Sequence, residues 1–172
     1  MKPIAMLVLG RLALTSVSAF AASETLAVAP YSSNPPWKNI TSKTNDEQKL
    51  LEWIPADQNE NAIKDILTEQ VFYKLKNADL SAFIANVFKS STQACDRVRV
   101  NGPTRQTENG YPVAYAQFYC AHQKGTTFDV DFFMKAISGH DALYVMQREF
   151  HRPMNPGDAP GVISFGKSRT RR

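Results

Sequence analysis

The residues whose types and spacing could do chemistry lie mostly in one stretch, HQKGTTFDVDF, from His122 to Phe132. It holds an imidazole, a Lys-Gly pair and two carboxylates one residue apart, Asp129 and Asp131. Imidazole and carboxylate are reasonable ligands for a divalent ion. Two aspartates on the same face of a strand stand roughly 7 Å apart, so a single ion would bridge them only through water or local bending. The spacings HxxxH and HExxH and the EF-hand loop are absent. His122, Asp129 and Asp131 are therefore only candidate metal ligands, and neither metal nor cofactor is expected.

The other chemistry-bearing residues are less suggestive. His140 sits in the turn-like ISGHDAL and His151 precedes Arg152-Pro153, where polarity alone explains them. No GxSxG elbow is present to expose a nucleophilic serine. Cys95 and Cys120 are the two cysteines, with no CxxC motif and no protease signature around either. In an oxidising compartment they would form one bridge closing a loop of about 25 residues, with a stabilisation of roughly 3–4 kcal/mol. No catalytic residue is assigned.

The elements that position these groups follow from hydrophobic periodicity. A two-residue turn at Lys124-Gly125 would pair Cys120 with Asp129 and Phe118 with Asp131. Alternation then places Phe128, Val130, Phe132 and Met134 on an apolar face with Tyr115, Gln117 and Tyr119. Asp129, Asp131, Phe133, Phe118 and Cys120 fall on the opposite face. Phe118 and Phe133, with Trp37 from a preceding arm, are thus candidates for a binding surface.

Upstream of the hairpin the period is helical. DQNENAIKDILTEQVF carries Ala62, Ile63, Ile66, Leu67 and Gln70 on one helical face, with Asp57 as cap. NADLSAFIANVFKSST places Leu80, Phe83, Ile84, Val87 and Phe88 on one stripe behind Asp79. KLLEWIP is too short for periodicity to separate strand from helix. After Thr92 the period becomes two, and strands are expected over Ala94–Val100, Val113–Ala121, Thr127–Ile137 and Leu143–Phe150. The expected fold is α+β, with two helices packed on one face of a four-stranded antiparallel sheet and one disulfide.

The ends bound the compartment. MKPIAMLVLGRLALTSVSAFAAS reads as a signal peptide over residues 1–21, with Ala19-Phe20-Ala21 as its cleavage site. The apolar run is too short to span a bilayer, which needs roughly 20 apolar residues. An extended arm over residues 22–44, one α+β domain over 45–153 and a disordered basic tail over 154–172 follow. The formal net charge is +4 for the whole chain. Lys2 and Arg11 lie in the leader, and Lys167, Arg169, Arg171 and Arg172 lie in the tail, so the body between them is slightly acidic. That balance argues against a nucleic-acid partner, which needs basic side chains gathered on the domain.

EWIPADQNENAIKDILTEQVF and KAISGHDALYVMQREFHRP, with a cysteine upstream of each sheet half, resemble small exported proteins of proteobacteria. The resemblance covers Leu51 to Pro153, implies export and an α+β fold, and carries no functional residue. The expectation is a periplasmic or secreted soluble module that binds a partner protein or small ligand of the envelope, with no membrane span and no evident catalysis. The alternative is a small metal-dependent or hydrolytic enzyme using His122, Asp129 and Asp131.

Overall fold

The computed structural model describes Glu24, Leu26 and residues 36–154. The expected leader and the basic tail beyond Met154 lie outside these residues. Along the chain come β1 (Trp37–Thr44), β2 (Gln48–Pro55), β3 (Asp65–Phe72), α1 (Leu80–Ala94), β4 (Cys95–Glu108), β5 (Tyr111–Gln123), β6 (Val130–Ser138) and β7 (Leu143–Phe150). All seven strands form one antiparallel sheet in the order β1-β2-β3-β7-β6-β5-β4. The expected architecture of two helices on four strands is therefore wrong: among the described residues there is one helix, and the sheet has three more strands.

Two meanders, β1-β2-β3 and β4-β5-β6-β7, meet where β3 pairs with β7. Helix α1 carries the chain from the end of β3 to the far edge at β4. Four strand spacings separate those strands, about 19 Å. A helix of 15 residues is about 22 Å long, enough to make that crossing in one element. Asp79 caps it, its carboxylate accepting from the backbone N–H groups of Ser81 at 2.8 Å and Ala82 at 3.3 Å. Its Leu80 and Ile84 bury against the sheet, with Phe83 and Val87 partly buried beside them. This is the helix that the apolar stripe behind Asp79 predicts.

The other expected helix is a turn followed by β3. The segment 57–62 is tied by side chains to backbone: Asn59 Oδ1 accepts from Asn61 N and Gln58 Oε1 accepts from Lys64 N. From Asp65 onward the burial alternates, with Leu67, Glu69 and Val71 turned inward. Glu69 hides this strand pattern in the sequence, because a carboxylate stands where an apolar residue would mark period two. It is tolerated because Lys49 on the neighbouring β2 pairs with it at 3.0 Å. KLLEWIP lies in β2, and residues 37–44, within the stretch read as an arm, form the edge strand β1.

The main core lies between α1 and the sheet. Ala114, Ala116, Phe118 and Cys120 of β5 face it together with Val130, Phe132 and Met134 of β6. This corrects the hairpin register. Cys120 pairs with Val130 and Phe118 with Phe132, one residue away from the expected pairing. A shift of one residue exchanges the faces of a strand relative to its neighbour. Phe118 and Cys120 therefore belong to the helix-covered core, while Tyr115, Gln117 and Tyr119 share the opposite, open face with Asp131, Phe133 and Lys135.

The slip has a local cause. β5 runs on to Gln123, and Thr126 N closes a tight turn on Gln123 O at 3.0 Å, but Gln123 N donates to Phe128 O at 3.4 Å, so pairing resumes at Phe128 and not at Thr126. His122 adopts a left-handed backbone with φ 50°, and its N–H donates to Asp129 Oδ1 at 3.0 Å. Lys124 N donates to Ala94 O, so the loop is also fastened to the end of α1.

Candidate functional site

The three candidate metal ligands do not converge. The His122 ring is exposed, and its nearest carboxylate is Asp96, with Nδ1 and Oδ2 4.0 Å apart. Asp129 is used as the acceptor for the His122 backbone. Asp131 is buried on the open face and accepts from Met154 N at 3.1 Å. Burial holds its carboxyl above the ordinary aspartate range, against hydrogen bonds from Met154 and Cys120 that pull it down. Among the described residues, no group of three His, Cys, Asp or Glu side chains is placed to hold a metal ion. Cys95 and Cys120 form a disulfide with their Cα atoms 5.6 Å apart, joining the C-cap of α1 to β5.

The candidate binding-surface aromatics also separate. Phe118 is fully buried under α1 and offers no surface. Phe133, on the open face, is half-buried between Gln117 and Arg148 of the adjacent strands. Trp37 is half-buried and packs against the cluster of Leu67 and Met146, with the Arg148 guanidinium 5.7 Å from its ring centre.

Much of the open face is closed by internal ion pairs. Arg148 clasps Asp65 through two hydrogen bonds of 3.0 and 2.6 Å. Lys135 and Glu108 pair at 2.5 Å, and Tyr115 and Gln106 also donate to that carboxylate. Burial alone would raise Glu108, but the hydrogen bonds from Lys135 and Tyr115 outweigh it and hold it below the usual glutamate value. Burial, and then the Glu108 carboxylate, push the Tyr115 phenol well above its ordinary range. Such mutually satisfied groups fix a fold and leave little capacity for a ligand.

At one end of this face, between β2, β3 and β7, lies a cavity of about 660 Å³. Val71, Ala142 and Leu26 supply apolar wall, and the Lys49–Glu69 pair lines one side. Tyr73 and Lys76 stand at its rim, both exposed. Lys76 makes no ion pair among the described residues. A site of this kind, apolar with a few placed polar groups, is a natural place for a ligand.

The cavity adjoins the β6–β7 turn, residues 139–142, which holds a carboxylate. Glu24 Oε1 accepts from His140 N and Oε2 from Asp141 N, each at 3.0 Å. Glu24 N donates in return to Asp141 Oδ2 at 3.1 Å, and Tyr144 Oη donates to Glu24 O at 3.3 Å. Gly139 makes this seat: a Cβ there would stand 2.5 Å from Glu24 Oε2 and 2.7 Å from the Tyr144 ring. Burial, followed by the charges of Glu24 and Asp141, raises the Tyr144 phenol far above its usual value and keeps it a donor.

The turn is braced from behind. Asn77 N donates to Gly139 O at 2.9 Å, Ser138 Oγ donates to Ala78 O, and His140 Nδ1 lies 3.1 Å from Asn77 Oδ1. The carboxylate seat is therefore positioned by β6, β7 and the linker into α1. Polarity alone made ISGHDAL look like an ordinary turn; Gly followed by two polar residues in a tight β6–β7 link is the signal that points to it.

No protein-family profile matches the chain, and no curated protein matches it.

Proposed function

We infer that the protein is an exported, non-catalytic binding module whose recognition site is the cavity beside the β6–β7 turn. The observation that carries this is the pairing of an apolar-walled cavity of about 660 Å³ with two backbone N–H groups already arranged for a carboxylate. Lys76 adds positive charge and Tyr73 a hydroxyl donor at the rim, while Lys49 is neutralised by Glu69 and the Tyr144 hydroxyl is taken by Glu24 O. A ligand with an anionic head and an apolar body matches that lining.

Export is supported by the leader-like amino end and by an oxidised Cys95–Cys120 pair, which is compatible with an oxidising compartment. Among the described residues His122, Asp129 and Asp131 are not gathered into a metal-holding group, which favours the binding reading over the metal-dependent alternative. No helix among the described residues is long and apolar enough to cross a membrane.

The test is amide NMR on ¹⁵N-labelled protein carrying Glu24→Ala, which frees the His140 and Asp141 N–H groups, titrated with a panel of free amino acids and short-chain carboxylic acids. Saturable shifts at His140, Asp141, Tyr144 and Lys76 are expected. Flat titrations at all four sites across the panel and across apolar amines would retire the reading. Export is checked separately, by cell fractionation and by the amino-terminal sequence of the recovered protein, expected at Ala22.

A further inference from the structure

The carboxylate seat is occupied by the chain itself. Glu24 reaches a turn 117 residues away along the sequence. Two residues later, Leu26 packs against both Val71 with Tyr144 and Leu67 with Met146. One acid and one leucine, spaced by a single residue, thus fill a charged seat and an apolar wall at once. The hydrogen bonds made by the Glu24 carboxylate and backbone N–H are solvent-exposed. Bonds of that kind contribute modestly, because water replaces them readily. The seat itself does not depend on the arm, being braced through Asn77 and Ser138.

Resting on the binding reading above, we propose that Glu24 and Leu26 are an exchangeable internal occupant, and that the site recognises an extended partner segment carrying an acidic residue two positions before a leucine. The carboxylate takes the His140 and Asp141 N–H groups, Gly139 admits it, and the leucine takes the place of Leu26 on Val71 and Leu67. The chain's own arm competes at the high effective concentration that tethering gives. Binding in trans is accordingly masked until the arm is released.

The experiment uses the full chain and a fluorescein-labelled peptide of sequence ASETLAVAP, copied from residues 22–30. Fluorescence anisotropy is measured with wild type and with a Glu24→Ala/Leu26→Ala double variant whose circular dichroism matches wild type. The arm-released variant should bind the peptide at least about tenfold more tightly than wild type, as expected for removal of a tethered competitor. The same peptide with Glu24→Gln should bind about tenfold more weakly, the loss of a charge-assisted hydrogen-bond pair. Gly139→Ala in the released variant should abolish binding. Should that variant fail to fold, Tyr144→Phe replaces it, with a severalfold loss expected.

Equal affinity for the Glu and Gln peptides, or no binding to a folded arm-released variant, overturns the proposal. Free carboxylates that still shift His140 and Asp141 under that outcome would leave the cavity as a small-ligand site. Flat titrations as well would remove both readings.

Discussion

Phe118 stacks on Phe132 across the β5–β6 pair, with ring centroids 4.5 Å apart and planes 11° from parallel. The contact exists only in the register that puts both rings under α1. Phe118 is 0% exposed, so Phe118→Ala should cost about 3–5 kcal/mol. Urea unfolding measures it. A loss within about 0.5 kcal/mol, the range of a surface substitution, would return Phe118 to the open face.

The Cys95–Cys120 bridge closes a loop of 25 residues between the end of α1 and β5. Its removal by Cys95→Ser/Cys120→Ser should cost about 3–4 kcal/mol. Thermal melts with and without reductant should differ for wild type and coincide for the variant. Coinciding wild-type melts, with thiol titration proving reduction, would contradict this.

Asp129 accepts a hydrogen bond from the backbone N–H of His122. Asp129→Ala removes the partner of the His122 N–H and should cost about 1 kcal/mol. His122→Ala leaves that bond in place and should stay within about 0.5 kcal/mol of wild type. Reversal of this order in denaturant titrations would mean that the imidazole, not the loop closure, matters.

His151 gives the chain a pH-dependent contact. Its Nε2 lies 2.7 Å from Glu149 Oε1, and the ring stacks on Phe128 at 4.7 Å. The Glu149 hydrogen bond holds the imidazole above the usual 6.5, although partial burial pulls it down. A raised folded value means this stabilisation is complete below pH 6.5 and is lost as the pH rises through the folded value. Glu108 behaves oppositely: with its value lowered, its contribution is full above the ordinary 4.5 and disappears as the pH falls below it. Unfolding midpoints between about pH 5.5 and about pH 9 should fall less steeply for His151→Gln than for wild type. Parallel profiles would show that the pair contributes nothing.

How much was legible depended on whether the relevant groups were side chains in a regular pattern. The stripe from Leu80 to Val87 behind Asp79 announces α1, because cap and periodicity agree. β3 was hidden because Glu69 interrupts its apolar face and its neutralising partner, Lys49, lies on another strand. The β5–β6 register turned on the left-handed backbone of His122 and on pairing that resumes at Phe128, neither of which the Lys124-Gly125 turn reveals. The carboxylate seat was least visible of all. Its donors are main-chain N–H groups, and its occupant, Glu24, precedes them by more than a hundred residues.

The crossing made by α1 also sets an order of events. Because the second meander is laid down from the far edge inward, β7 reaches β3 only after β4, β5 and β6 are in place along the chain. The clasp between Asp65 and Arg148 spans 83 residues of sequence, and closing so long a loop slows folding. The disulfide lies wholly on one side of that junction and does not hold it. The β3–β7 seam is thus expected to be the slow closure in folding. Pulsed hydrogen exchange during refolding should protect the amides of β5 before those of β3, and simultaneous protection would disprove it.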